Sequence, residues 1–239
     1  MKKIALGALA FATLMQAAPL GLKTQTELGF IKNTGNTVNE TFTIDANLNK
    51  TWEKHIANAK ITAQYGTEND IETKNKLLSE LTYDYKFTEI FAFNYLFGYK
   101  VDAFSTYDYQ LYTGPGAKYI ALSSENQNLD FAANILYSED KLNNVGALKG
   151  ETQNYTAYRV ALNYDRQLLE NLKFTQELNY RSDFDDAKNY FIYSKSALST
   201  KISDFFSAGV SYVVDYVNLT NPGRKNSDKT LTANLIINY

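Results

Sequence analysis

The chain has 239 residues, with 24 Lys and Arg against 26 Asp and Glu, a formal net charge of −2, no Cys and one His. No disulfide framework or thiolate metal site can exist, and the single His55 excludes a multi-histidine metal site in a monomer. Aromatics at 14% within 44% hydrophobic residues exclude a disordered chain, while a mean hydropathy of −0.37 is too polar for a helical membrane protein.

The first element is a targeting segment. Met1-Lys2-Lys3 is a short basic start, Ile4 to Met15 is apolar, and the small residues Ala17 and Ala18 follow. This reads as a secretory signal peptide over 1–18, too short and wrongly flanked for a spanning helix. Residues 19–239 are then the mature domain, and 22 basic against 26 acidic residues put it near −4. Charges of both signs are interleaved along the whole chain, so no nucleic-acid partner is expected. After residue 18 no run of 18 apolar residues occurs. A membrane-embedded mature chain must therefore be a barrel.

Period-two alternation recurs along the mature chain. Phe42, Ile44, Ala46 and Leu48 alternate with Thr41, Thr43, Asp45, Asn47 and Asn49. Leu81, Tyr83, Tyr85 and Phe87 alternate with Glu80, Thr82, Asp84 and Lys86. Phe91, Phe93, Tyr95, Phe97, Tyr99 and Val101 follow, against Asn94, Gly98, Lys100 and Asp102. Leu172, Phe174, Leu178 and Tyr180 oppose Lys173, Thr175, Glu177, Asn179 and Arg181. Phe206, Ala208, Val210, Tyr212, Val214 and Tyr216 oppose Ser207, Gly209, Ser211 and Asp215. The last ten residues put Leu231, Ala233, Leu235, Ile237 and Tyr239 on one face and Thr230, Thr232, Asn234 and Asn238 on the other, Ile236 being the exception.

These patterns predict twelve strands, at 24–31, 38–50, 56–66, 76–87, 90–102, 108–121, 128–137, 153–165, 171–182, 189–201, 205–217 and 230–239. Most are long enough to cross a bilayer when tilted. The fold class is all-β, a transmembrane antiparallel up-and-down barrel. Short connections fall near 51–55, 88–89, 122–127, 166–170 and 203–204. Longer ones fall near 67–75, 138–152, 183–188 and 218–229, with 32–37 and 103–107 shorter. Short turns on one side and long loops on the other is the outer-membrane arrangement, and it puts both termini on the periplasmic side.

Aromatics mark the membrane interface. Trp52, Tyr85, Phe91 and Tyr239 are expected as anchors, their rings sitting at the headgroup level. Tyr239, ending the chain, resembles the terminal signal read by the outer-membrane assembly machinery. A soluble β-sandwich would show the same alternation. The long strands, the many aromatics, and the few Lys and Glu runs on the polar faces weigh against it.

Several segments carry a family likeness. They are Thr26-Glu27-Leu28-Gly29-Phe30, Asn33-Thr34-Gly35-Asn36-Thr37, Leu81-Thr82-Tyr83-Asp84-Tyr85 and Phe97-Gly98-Tyr99 with Asp102 and Phe104. Tyr112-Thr113-Gly114-Pro115-Gly116-Ala117-Lys118-Tyr119 is the last. In order and spacing the chain resembles the salt-induced outer-membrane protein family, domain-of-unknown-function family 481. The resemblance covers most of 24–239 and is strongest through 140. It implies a Gram-negative outer-membrane β-barrel with no established activity and no catalytic residues to carry over.

Individual motifs read mostly as structure. Gly114-Pro115-Gly116 is followed by no helix, so a phosphate loop is disfavoured and a bulge or bend is expected. His55 lies beside Trp52 in a turn with no Ser or Asp placed as its partner, which argues against hydrolysis. Asp183, Asp185 and Asp186 miss the calcium-loop spacing and read as a solvated loop. Arg224, Lys225 and Lys229 could pair with lipopolysaccharide phosphates or simply be solvated.

The lumen is the informative constellation. Parity places Glu80, Asp84, Lys86, Lys100, Lys118, Arg159, Lys173, Glu177, Arg181 and Asp215 inside, with Glu27, Asp45, Lys60, Asp130 and Asp165. Charges in that number must be hydrated or paired. Twelve strands lie between the filled eight-stranded barrels and the open sixteen-stranded ones. Two readings follow: a narrow passive channel for small hydrophilic solutes or ions, or a plugged structural barrel whose loops contact lipopolysaccharide. An outer-membrane enzyme built on Asp183 and Asp185 is a third, weaker reading. The expected partners are outer-membrane lipid and lipopolysaccharide, with no cofactor, and a monomer suffices.

Overall fold

The computed structural model describes residues 21–33, 39–143, 150–220 and 223–238. They form twelve strands: β1 (Leu22–Asn33), β2 (Asn39–Trp52), β3 (His55–Glu68), β4 (Ile71–Lys86), β5 (Phe91–Asp102), β6 (Tyr107–Ser123), β7 (Gln127–Leu142), β8 (Thr152–Leu169), β9 (Leu172–Asp183), β10 (Tyr190–Lys201), β11 (Phe206–Val217) and β12 (Ser227–Asn238). Each pairs antiparallel with its sequence neighbours. Gln25–Gly29 of β1 pair with Asn234–Asn238 of β12 and close the barrel, leaving no free edge. The proposed signal segment 1–18 and the anchor Tyr239 lie outside the described residues.

Alternation along the strands sends most apolar side chains outward and most polar ones into the bore, with a buried apolar cluster of Leu96, Tyr112, Leu136 and Ala157 inside it. On β12 the contrast is clean: Leu231 and Leu235 are exposed while Thr230, Thr232, Asn234 and Ile236 are buried. Ile236, which breaks the sequence pattern, therefore contributes an apolar group to the interior. Leu81, Phe97, Phe131, Ile135, Val160, Val210 and Leu231 are all exposed large apolar residues spread around the wall. A surface of this kind needs lipid, since soluble proteins do not expose contiguous apolar area on this scale.

Aromatic rings gather at both ends of the outer wall. At the short-turn end Trp52 stacks on His55 with centroids 5.3 Å apart, and His55 lies 5.1 Å from Tyr85, which meets Phe87 at 5.5 Å. Phe91 meets Tyr119 at 5.2 Å on the same rim. At the opposite end Tyr158, Tyr180, Tyr190 and Tyr216 run across four adjacent strands with centroids 5.7–5.9 Å apart. Offset rings at such separations attract, and their polar edges suit the headgroup region.

Two expectations are corrected here. Residues 67–75 do not form a long loop: β3 runs to Glu68 and β4 starts at Ile71, joined by Asn69-Asp70. Both have positive φ, 48° and 65°, which is the pairing a two-residue primed hairpin turn demands and which Asn and Asp tolerate. The polarity of the segment reflects strands that continue past the apolar band, where both faces meet water. Nor is there a bulge at Gly114-Pro115-Gly116. Pairing to β5 is continuous there, while the ladder to β7 omits Gly114 and Pro115 without changing register. Pro115 has no N–H to donate. A Cβ on Gly114 would run into the Ile135 carbonyl, so glycine permits the close strand approach. The register shifts of β6 lie at its two ends instead, at Tyr107/Tyr109 and Ile120/Leu122.

Candidate functional site

Three cavities follow one another along the bore and share wall residues. The first, about 640 Å³, opens at the short-turn end and is lined by residues such as Asn49, Lys173, Lys201 and Asp204. The second, about 100 Å³, lies at mid-height among Thr62, Lys76, Tyr112, Arg181, Tyr193 and Asp215. The third, about 340 Å³, opens at the long-loop end past Lys74, Phe104, Arg224 and Lys225. Two vestibules thus flank a waist.

Side chains that bridge the waist explain its small volume. In a ring of twelve, strands six places apart face each other across the diameter. Lys60 of β3 reaches Glu177 of β9 at 2.5 Å, and Lys100 of β5 reaches Asp215 of β11 at 2.9 Å. Lys76 of β4 bonds the same Asp215 and lies 3.6 Å from Asp102. Lys195 of β10 holds both Glu27 of β1 and Asp45 of β2, each at 2.8 Å. These pairs are only 11–23% exposed. At such burial charges persist only when matched by partners.

A second layer is aromatic and cationic. The Arg181 guanidinium lies 4.4 Å from the ring centroids of both Tyr112 and Phe191, a cation held between two faces. The Tyr112 hydroxyl donates to Glu80 at 2.7 Å. Its ring crosses the position a Cβ of Gly98 would occupy, so the residue facing it on β5 has no side chain. Asp140, with no exposed surface, accepts from Tyr155 at 2.7 Å and Gln110 at 3.1 Å, and lies 3.9 Å from Arg181.

The remaining lumen candidates fall along the wall. Lys118 bonds Asp84 at 3.0 Å and lies 3.7 Å from Asp130. Arg159 donates to Asn134 at 3.2 Å and also bonds Asn179. Lys173 meets Asp165 at 3.3 Å nearer the short-turn mouth. Lys86 shares the parity of Asp84 but lines none of the three cavities. Lys76, Asp140 and Lys195 were absent from the sequence expectation, although Lys195 holds two carboxylates. Its neighbours Ser194 and Ser196 are too small and polar to mark a lipid face, so no alternation announced it.

The vestibules differ in charge. Nine carboxylates and six cations line the short-turn vestibule. Among them, the Lys201 ammonium hydrogen-bonds Asp204 at 2.7 Å and holds its carboxyl below the usual range. Three carboxylates, Asp102, Asp215 and Asp228, and five cations, Lys74, Lys76, Lys100, Arg224 and Lys225, line the long-loop vestibule.

Outside the bore, the motifs take structural roles. His55 Nδ1 lies 2.6 Å from the Tyr83 hydroxyl on the outer rim, away from the charged interior. Asp183 and Asp186 accept from the backbone N–H of Asp185 and Lys188 at 2.8 and 2.9 Å, shaping their loop.

The comparisons with known proteins agree with this architecture. The family described as "Protein of unknown function, DUF481" matches residues 26–239. An outer membrane channel from Pseudomonas putida F1 superposes with a TM-score of 0.54 at 8% identity, covering 93% of this chain and 97% of that one. The NanC porin superposes with a TM-score of 0.50 at 12% identity, covering 91% and 97%. At such identities the likeness is one of fold. No curated protein matches the sequence.

Proposed function

The chain belongs to the DUF481 family, whose function is unknown, and from its bore we propose a narrow outer-membrane channel for small hydrophilic solutes or ions, closed at mid-height by side chains. The observation that carries this reading is the pair of charged vestibules separated by a waist of about 100 Å³. The waist is bridged by Lys, Arg, Glu and Asp side chains of the barrel wall. A lysine stem is flexible, so an entering ion can exchange partners with a bridging pair. With both signs along the path, selectivity among ions is expected to be weak. The solved barrels of similar fold described as a channel and a porin support the reading by analogy of fold alone.

In this reading the segment 1–18 is cleaved on export, and both termini face the periplasm. Trp52, Tyr85, Phe91 and Tyr239 meet the lipid interface, with Tyr239 presenting the terminal strand to the assembly machinery. Lipid and lipopolysaccharide surround a monomer that performs no catalysis.

Solute flux into vesicles carrying the folded barrel tests the proposal. Slow but measurable entry of small ions, with larger sugars excluded, is the expected result. Intact vesicles that admit nothing would overturn it. They would favour the second reading, a non-conducting envelope barrel whose loops contact lipopolysaccharide. One specific observation speaks for that reading: Lys60–Glu177 and Lys100–Asp215 tie opposite walls together at hydrogen-bond distance.

A further inference from the structure

We propose that the long-loop vestibule is a binding site for small organic anions carrying two or more carboxylate or phosphate groups. The site is independent of whether the bore conducts.

Charge imbalance in an enclosed space is the starting point. Of the five cations lining this vestibule, Lys76 and Lys100 are committed to Asp215. Lys74 rests instead on the neutral Thr230 hydroxyl at 2.9 Å. Arg224 and Lys225 line the same cavity, and among the described residues neither they nor Lys74 make an ion pair within 4.0 Å. Five cations against three carboxylates leave an excess of two positive charges around one space of about 340 Å³, with Asp228, which makes no ion pair within 4.0 Å among the described residues, attracting Lys74 from the same wall. Like charges gathered around a cleft focus a positive potential into it and draw in a counter-ion.

The chemistry of the three groups defines the ligand. Arg224 offers a planar fork that matches a carboxylate or phosphate in two parallel bonds, and the two lysines add point charges. A monovalent ion would satisfy one of them, whereas an anion with two or three charged groups spans the set. Phe104 and Val217 supply apolar contact for a carbon skeleton. The volume falls at the lower end of small-molecule sites, ~300–1,000 Å³, which suits a ligand the size of a tricarboxylic acid or a sugar phosphate.

The same loop provides an internal control. Arg224, Lys225 and Lys229 are close in sequence and could all have faced lipopolysaccharide. Asp228 and Thr230 line the bore, so Lys229 between them points to the opposite face and is exposed. Arg224 and Lys225 line the vestibule, Lys225 being exposed at its mouth, whereas Lys229 lines none of the cavities of the bore.

Calorimetric titration of the folded full-length mature barrel in detergent, at low salt, with citrate and with inorganic tripolyphosphate, tests the proposal. The expected dissociation constant for at least one probe is below about 1 mM. Lys74→Gln, and separately the Arg224→Gln/Lys225→Gln pair, should weaken binding at least tenfold, and Lys229→Gln should leave it unchanged. Each variant is first shown to keep the mobility difference between unheated and boiled samples. No binding by the folded wild type at millimolar probe would overturn the proposal. So would loss with Lys229→Gln equal to that with the Arg224→Gln/Lys225→Gln pair, which would assign the charge to lipopolysaccharide-type contact at the surface.

Discussion

Lys100 and Asp215, 115 residues apart in sequence and on strands diametrically opposed in a ring of twelve, meet at 2.9 Å in the middle of the bore. Their side chains are 15% and 12% exposed, and Lys76 shares the same carboxylate. Removing one partner of such a pair leaves an uncompensated buried charge, which costs about 3–5 kcal/mol in a dry interior and less where water enters. Asp215→Asn should therefore destabilise the folded barrel by about 2 kcal/mol or more. Lys100→Met combined with it should recover part of that loss. Urea unfolding in lipid vesicles, run as a double-mutant cycle, checks this. Strictly additive losses would show that the two groups do not interact.

Gly98 and Tyr112 form the second relationship that shapes the waist. The Tyr112 ring occupies the space a Cβ on Gly98 would need, and from there it reaches Glu80 and stacks on Arg181. Gly98→Ala should push the ring aside and cost about 1–3 kcal/mol through overpacking. Tyr112→Phe, which removes only the hydroxyl bonded to Glu80, should cost about 1 kcal/mol. Unfolding midpoints of the two variants check the order. A Gly98→Ala variant as stable as wild type would contradict the packing described.

Trp52 is the only tryptophan, stacked on His55 at the short-turn rim. Its fluorescence reports depth. In vesicles it should be quenched more strongly by lipids brominated near the headgroup than by lipids brominated near the chain end. Equal insensitivity to both would remove this rim from the membrane interface.

The opposite charge imbalance of the two vestibules has an electrical consequence if the bore conducts. Cations concentrate at the short-turn mouth and anions at the long-loop mouth. A field that drives cations inward from the first and anions inward from the second fills the waist with carriers. The reversed field empties it. Currents from uniformly oriented channels should be larger when the short-turn side is positive, and the asymmetry should shrink in high salt. A linear current at low salt would contradict this.

Most of the architecture was legible because lipid and water impose a period of two on every crossing strand. The twelve predicted strands overlap the twelve observed ones, with the largest errors at ends such as Ile71–Asn75 and Ser138–Leu142. Ile71 and Glu72 are exposed on both faces, while Ser138 and Asp140 turn polar side chains into the buried interior, and in both places polarity reads as loop. Parity put Lys100 and Asp215 on polar faces of their strands. It had no way to join them, since contact across a bore depends on strand number and stagger. Lys195 and Lys76 were invisible for a related reason: serines flank the first, and the second opened its predicted strand with no alternation before it. The motif Gly114-Pro115-Gly116 was legible as a backbone peculiarity, though its consequence is close packing rather than a bulge.

Single-channel recording on wild type and Asp215→Asn in planar bilayers is the most direct test of a bore closed by its own side chains. Wild type should give small, discrete steps. The variant should give larger ones with a shift toward anions, because Lys76 and Lys100 lose the carboxylate that holds them across the waist. A barrel that folds, inserts and stays silent in both forms would contradict the account and leave a structural barrel in its place.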